Sequence, residues 1–212
     1  MKGYAFILEG DTEKEFYLSF LEYLCKKHGA DLNRSVDEIA PDVSYTIDCG
    51  DRHSIIKFEV VNAITQLTRS DNWFNTQCVK KYGPKCKWDV FLCYDTDSYN
   101  ADISKYYQDD WANLRKGLSK ASSVLDLAAA ADIEDIMLID LEGVCNFLNC
   151  PVPESIPGAK GKVKMKNLFR ISGQIYHEGE RARILIDSLD MEKIIRSNVI
   201  SLARAENMLF PE

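Results

Sequence analysis

Apolar and polar positions fall into blocks along the chain. "GYAFILE", residues 3–9, is a β-branched and aromatic run that reads as a strand. "DTEKEFYLSFLEYLCKKHG", residues 11–29, sets Phe16, Phe20 and Leu24 on one stripe with Tyr17 and Leu21 beside it, the spacing of an amphipathic helix that Gly29 stops. Thr12 and Glu15 fit a capping box at its start. "VSYTIDC" predicts a second strand ending at Gly50, and "HSIIKFEVVNAITQL" a helix after it. Residues 70–87 show no period and read as an irregular excursion. "WDVFLCYD" is a continuous apolar run, the pattern of a central strand covered on both faces. A mixed-charge helix is predicted over "ISKYYQDDWANLRKGLSKA", a fourth strand over "IEDIMLIDLEG" and a helical turn over "VCNFLN". "PVPESIPGAKGKV", residues 151–163, is a linker with three prolines and two glycines, and helices follow at about 164–177 and 190–207, the second capped by Asp190. Strands and helices in this succession predict an α/β fold with a mainly parallel, Rossmann-like sheet flanked by helices. The chain divides into an α/β domain over 1–150 and a linker with a helical C-terminal extension, packed on it, over 151–212.

Composition narrows the classes. The chain has 212 residues, 46% of them hydrophobic, enough for one well-filled core. No apolar run is long enough for a membrane span, and no basic segment leads into an apolar export signal. A cytoplasmic protein with no membrane partner is therefore expected. The seven cysteines include no CxxC, so neither a disulfide framework nor a zinc knuckle is signalled. A net charge of −7 argues against general adhesion to polyanions and confines any nucleic-acid contact to local patches. The tract Lys160, Lys162, Lys164, Lys166 and Arg170 is such a patch, with no acid between Glu154 and Glu178. Lys80, Lys81, Lys85 and Lys87, interleaved with Tyr82 and Trp88, form a weaker one. Of the three scattered histidines, His53, beside a predicted strand end, is the one worth mutating.

The candidate chemistry lies where apolar runs stop. Glu9 ends the first strand with Glu13 four residues on, and Asp95 and Asp97 end the central strand. In parallel α/β sheets function collects at the carboxyl ends of strands. Carboxylates gathered there repel one another unless a divalent cation lies among them, and hard oxygen ligands favour magnesium or manganese. Strand alternation would send Asp95 and Asp97 to one side, with Thr96 facing away.

The glutamate and glycine of "ILEGDTEKEF", followed by the D-x-D of "FLCYDTDS", resemble the two signature motifs of the Toprim domain. The E-G-x-x-E spacing of Glu9, Gly10 and Glu13 is most similar to OLD-type nucleases and to small Toprim-like proteins linked to phage defence. The tail resembles theirs too, with Glu142 after the last strand, then Lys166 and Leu168, then Tyr176 and Gly179. The pattern departs at Tyr94 and Tyr99, which flank the D-x-D, and at His177 and Glu178, where a lysine is expected. The resemblance implies metal-dependent phosphodiester hydrolysis of DNA or RNA. Glu9, Asp95, Asp97 and Glu142 would be metal ligands for Mg2+ or Mn2+, and Glu9 and Glu13 catalytic acids. Lys160, Lys162, Lys164 and Lys166 would contact nucleic acid. A partner ATPase and a homodimer stay open, as does one metal ion against two.

Other classes share parts of this pattern. A D-x-D after an apolar strand also serves nucleotide-sugar glycosyltransferases, which would leave Glu9 idle. Tyr99 speaks against a haloacid-dehalogenase-type phosphatase, and no strand-end lysine supports a receiver domain. A Toprim-like module that binds without cleaving is the non-enzyme alternative.

Overall fold

The computed structural model describes residues 1–36, 43–62, 64–67, 69–97, 99 and 108–211. Its strands are β1 (Lys2–Leu8), β2 (Asp31–Val36), β3 (Val43–Cys49), β4 (Arg52–Val60), β5 (Lys87–Asp95) and β6 (Ser123–Ala129). They form one sheet in the order β2-β3-β4-β1-β5-β6. β4, β1, β5 and β6 run parallel, while β2 and β3 join β4 as an antiparallel meander. The helices are α1 (Asp11–His28), α2 (Ile64–Leu67), α3 (Asp71–Trp73), α4 (Gln108–Gly117), α5 (Ile133–Met137), α6 (Leu141–Leu148), α7 (Gly161–Ile171), α8 (Arg183–Ile186), α9 (Met191–Arg196) and α10 (Leu202–Leu209). The chain is thus an α/β protein with a mainly parallel, Rossmann-like sheet flanked by helices. None of its described helices is long and apolar enough to cross a membrane.

Alternation along the central strands builds two cores. Tyr4, Phe6 and Leu8 of β1 and Phe91 and Cys93 of β5 face α1 and the C-terminal helices. Ala5 and Ile7 of β1 and Trp88, Val90 and Leu92 of β5 face α4 and the π-helical turn Phe74–Lys80, which follows α3 directly. The Phe6 ring stacks on Phe91 with centroids 4.5 Å apart, tying β1 to β5.

Several expectations change here. "HSIIKFEV" belongs to strand β4, not to a helix, and only the short α2 follows it. "IEDIMLIDLEG" is not a strand: it forms α5, a 3-10 turn and the start of α6, and the last strand is the earlier β6, "SVLDLAA". β2 was not predicted. The helix expected over 103–121 is seen as α4, and its residues 103–107 lie outside the described residues. Gly29 does end α1, at φ 63°. The capping box does not form: Gly10 is the N-cap, Thr12 Oγ1 accepts from the Gly179 amide at 2.8 Å, and Glu15 Oε2 accepts from Arg183 at 3.4 Å. Both side chains turn instead toward the C-terminal segment. Trp88, expected in a surface basic patch, is 1% exposed and packs edge-on against Tyr82, so it is core rather than a stacking platform.

Candidate active site

From β1 the chain passes through α1 to the β2–β4 side of the sheet, and from the adjacent β5 it passes through α4 to β6 on the other side. The carboxyl ends of β1 and β5 therefore flank a topological switch point, where open α/β sheets form a crevice. Glu9 follows β1 there and Asp95 ends β5. The Asp95 amide donates to Glu9 Oε2 at 3.2 Å, and the Glu9 amide to the Cys93 carbonyl at 3.2 Å, so the two strand ends are tied to each other. Glu13 lies one turn into α1, 6% exposed, its carboxylate folded back over Gly10. A Cβ at position 10 would stand 2.9 Å from Glu13 Oε2, so a side chain there would make the Glu13 carboxylate shift.

Together Glu9, Glu13, Asp95 and Glu134 line a cleft of about 420 Å³, with Lys162 and Glu178 on its rim. The apolar density of "IEDIMLIDLEG" predicts a strand, which hides Glu134 as a site residue. It stands on the first turn of α5, just after β6, 3% exposed, and accepts from the Tyr176 hydroxyl at 3.0 Å. Behind it, Asp132 caps α5 through the Asp135 amide at 3.1 Å and also accepts from the Lys162 amide of α7 at 3.0 Å, joining two helix N-termini. Asp135 accepts the Gly161 amide at 2.8 Å.

Burial dominates the electrostatics and like charge adds to it. Burial, then Glu13, Glu9, Glu134 and Asp132, push the Asp95 carboxyl up to about 9. Asp95 Oδ1 is fully buried and has no hydrogen-bond partner among the described residues. Burial and then Asp132 push Glu134 up to about 7, against the opposing hydrogen bond from Tyr176.

The remaining sequence candidates lie around this cleft or away from it. β5 stops at Asp95, and Asp97 has left-handed backbone at φ 57°, so strand alternation does not carry the pair to one side. Asp97 is exposed and accepts from Lys160 at 3.0 Å. Glu142 lies on α6, its side chain 73% exposed and bonded to Lys193 at 3.1 Å, and it does not line the cleft. All four lysines of the tract are ion-paired: Lys160 with Asp97, Lys164 with Asp135 at 3.1 Å, and Lys162 and Lys166 both with Glu178. The tail does reach the cleft through Tyr176 and Gly179. His53 pairs with Asp48 at the amino end of β4, the opposite end of the sheet.

As placed, no three His, Cys, Asp or Glu side chains among the described residues form a group able to hold a metal ion. The donor set still suits a hard divalent cation: an unpartnered buried carboxylate oxygen among like charges is relieved by one. Glu9, Glu13, Asp95 and Glu134 are the residues that would hold it.

No family model and no curated protein matches the chain. Among solved structures, a futalosine hydrolase mutant of Helicobacter pylori strain 26695 aligns at 8% identity over 99% of this chain and 100% of that one, with a TM-score of 0.31.

Proposed function

We propose that the chain is a divalent-cation-dependent phosphodiesterase of Toprim type that acts on DNA or RNA. The observation that carries this reading is the buried, unpartnered Oδ1 of Asp95, held among Glu9, Glu13 and Glu134 at the switch point of a mainly parallel sheet. Bound among these acids, magnesium would supply Lewis-acid stabilisation of charge developing on a phosphate oxygen. Glu9 lines the cleft with its Oε2 held by the Asp95 amide, which sets the orientation of its carboxylate. Glu134, with its carboxyl pushed up to about 7, can hold or release a proton near neutrality, and the Tyr176 hydroxyl orients it. The D-x-D of a glycosyltransferase has less support, since Asp95 lines the cleft whereas Asp97 pairs with Lys160.

The test is incubation with single- and double-stranded DNA and with tRNA, with and without magnesium. Cleavage that needs magnesium, and that falls on the order of 10³-fold in Asp95→Ala, is expected, the scale of several kcal/mol of lost charge stabilisation. Magnesium-dependent thermal stabilisation without cleavage would instead assign a binding module. Undiminished cleavage by Asp95→Ala would overturn the site.

A further inference from the structure

Lys162 and Lys166 lie four residues apart on α7 and so share a face of the helix. Both ammonium groups close on one carboxylate, that of Glu178, with N–O distances of 2.5 and 2.8 Å. Burial pushes the Glu178 carboxyl up, and the two ammoniums more than offset it, holding the group below its usual range. Glu178 is not placed by a slack loop. The following residue, Gly179, has φ 67° and its amide donates to Thr12 Oγ1 at 2.8 Å, which pins the turn to the start of α1. A Cβ there would meet the Asp11 Cβ at 3.6 Å. The turn therefore delivers Glu178 to the rim of the acidic cleft, beside Lys162.

This acid stands where the cleft already has five other acidic side chains, Glu9, Asp11, Glu13, Asp95 and Glu134, and two lysines receive it. Two ammoniums, each on a separate oxygen of one carboxylate, are also the arrangement that receives two non-bridging oxygens of a phosphate. We propose that Lys162 and Lys166 form the phosphate subsite of the cleft, and that Glu178 is the chain's own stand-in, seated there until a nucleic-acid phosphate displaces it. The proposal rests on the phosphodiester reading of the cleft. It adds the group that a substrate must displace before it can sit over Asp95 and Glu134.

The experiment reads binding without metal. A fluorescein-labelled 12-nucleotide single-stranded DNA is titrated with the protein in EDTA, by anisotropy, from 50 to 300 mM KCl. Glu178→Gln keeps the side-chain size but removes the negative charge that holds both ammoniums. It is expected to bind about tenfold more tightly at the lowest salt, the scale of removing one nearby unit charge in a half-exposed site. Its plot of log K against log salt should be steeper by about 1.4, roughly 0.7 for each lysine released to a single strand. Combining Glu178→Gln with Lys162→Met and Lys166→Met should abolish the gain. If that triple variant does not fold by thermal melt, Lys166→Met with Glu178→Gln should lose half of the added slope. Wild-type affinity and slope in Glu178→Gln would overturn the proposal, as would a gain that survives loss of the lysines. Because no magnesium is present, a failure of metal-dependent cleavage is a separate result and bears on the phosphodiesterase reading alone.

Discussion

A carboxylate with one oxygen buried and unpartnered, among four acidic neighbours, is held in place by the rest of the fold at a cost, and Asp95 is such a group. Its carboxyl is pushed up to about 9, and that of Glu134 to about 7, from ordinary values near ~4. The folded chain therefore keeps protons that the unfolded chain gives up between pH ~4 and about 9. With the unfolded state binding fewer protons, stability falls as pH rises through that window. We expect the melting temperature to decline from pH 5 to pH 9 in the absence of metal. Asp95→Asn should flatten the decline and raise Tm at pH 8 by ~2–4 °C, the shift for about 1 kcal/mol in a chain of this length. Magnesium should restore Tm at pH 8 in the wild type and not in Asp95→Asn. A scanning-fluorimetry series in pH and magnesium checks all three, and a flat wild-type profile would count against the crowded cleft. At this scale Glu9 and Asp95 are legible in the sequence because each stands where an apolar run stops, and Gly10 and Glu13 follow Glu9 within the same short segment. Glu134 is not, because the run before it, "SVLDLAA", is short and broken by Asp126.

Elements were legible where the apolar pattern is long and consistent. α1 shows its stripe and its glycine stop, and β5 its unbroken apolar run. β4 hides because its covered stretch is short and includes a charge: Ile55 and Ile56 are buried on successive positions and Lys57 is 1% exposed, so no period of two emerges and the run lacks the apolar length of β5. The segment after β6 misleads in the opposite sense, since short helices packed on the core carry dense apolar residues such as Ile133, Ile136 and Met137 that read as a strand. The docking of α7 depended on contacts distant in sequence. Its first amides are received by Asp132 and Asp135, some 26–30 residues earlier in the chain. That fit requires glycine at 161, where a Cβ would stand 2.1 Å from the Asp135 nitrogen and 2.4 Å from Asp132 Oδ1. Gly161→Ala is expected to push α7 away, break those bonds and cost about 2 kcal/mol, a Tm lower by ~4–8 °C. Calorimetry decides it, and an unchanged Tm would mean that α7 does not seat against α5 in this way.

At the level of the whole molecule, alternation of strands and helices gave the α/β class, but the prolines and glycines of 151–163 hide how the two sides share a core. The cluster that begins with Tyr4 and Phe6 on β1 continues through Leu168 on α7, Ile186 on α8, Ile194 and Ile195 on α9, and Leu202 and Leu209 on α10. Tyr4 itself donates to the Met208 carbonyl at 2.8 Å, and Ser19 of α1 to Asp187 at 3.0 Å. Six buried aliphatic chains at about 1.5–3 kcal/mol each match the whole net stability of a typical domain, about 5–15 kcal/mol. The C-terminal helices also bring Tyr176, Lys162 and Glu178 to the cleft, so stability and site depend on the same segment. A fragment of residues 1–150 is therefore expected to lack a cooperative thermal transition and to expose the α1 face of the sheet to hydrophobic dyes. Adding the separate 151–212 peptide should restore a transition whose midpoint rises with peptide concentration, because binding to the folded state alone stabilises it by mass action. A fragment that melts cooperatively near the full-length Tm would show that the core facing α1 closes without these helices, and that their packing serves the cleft alone.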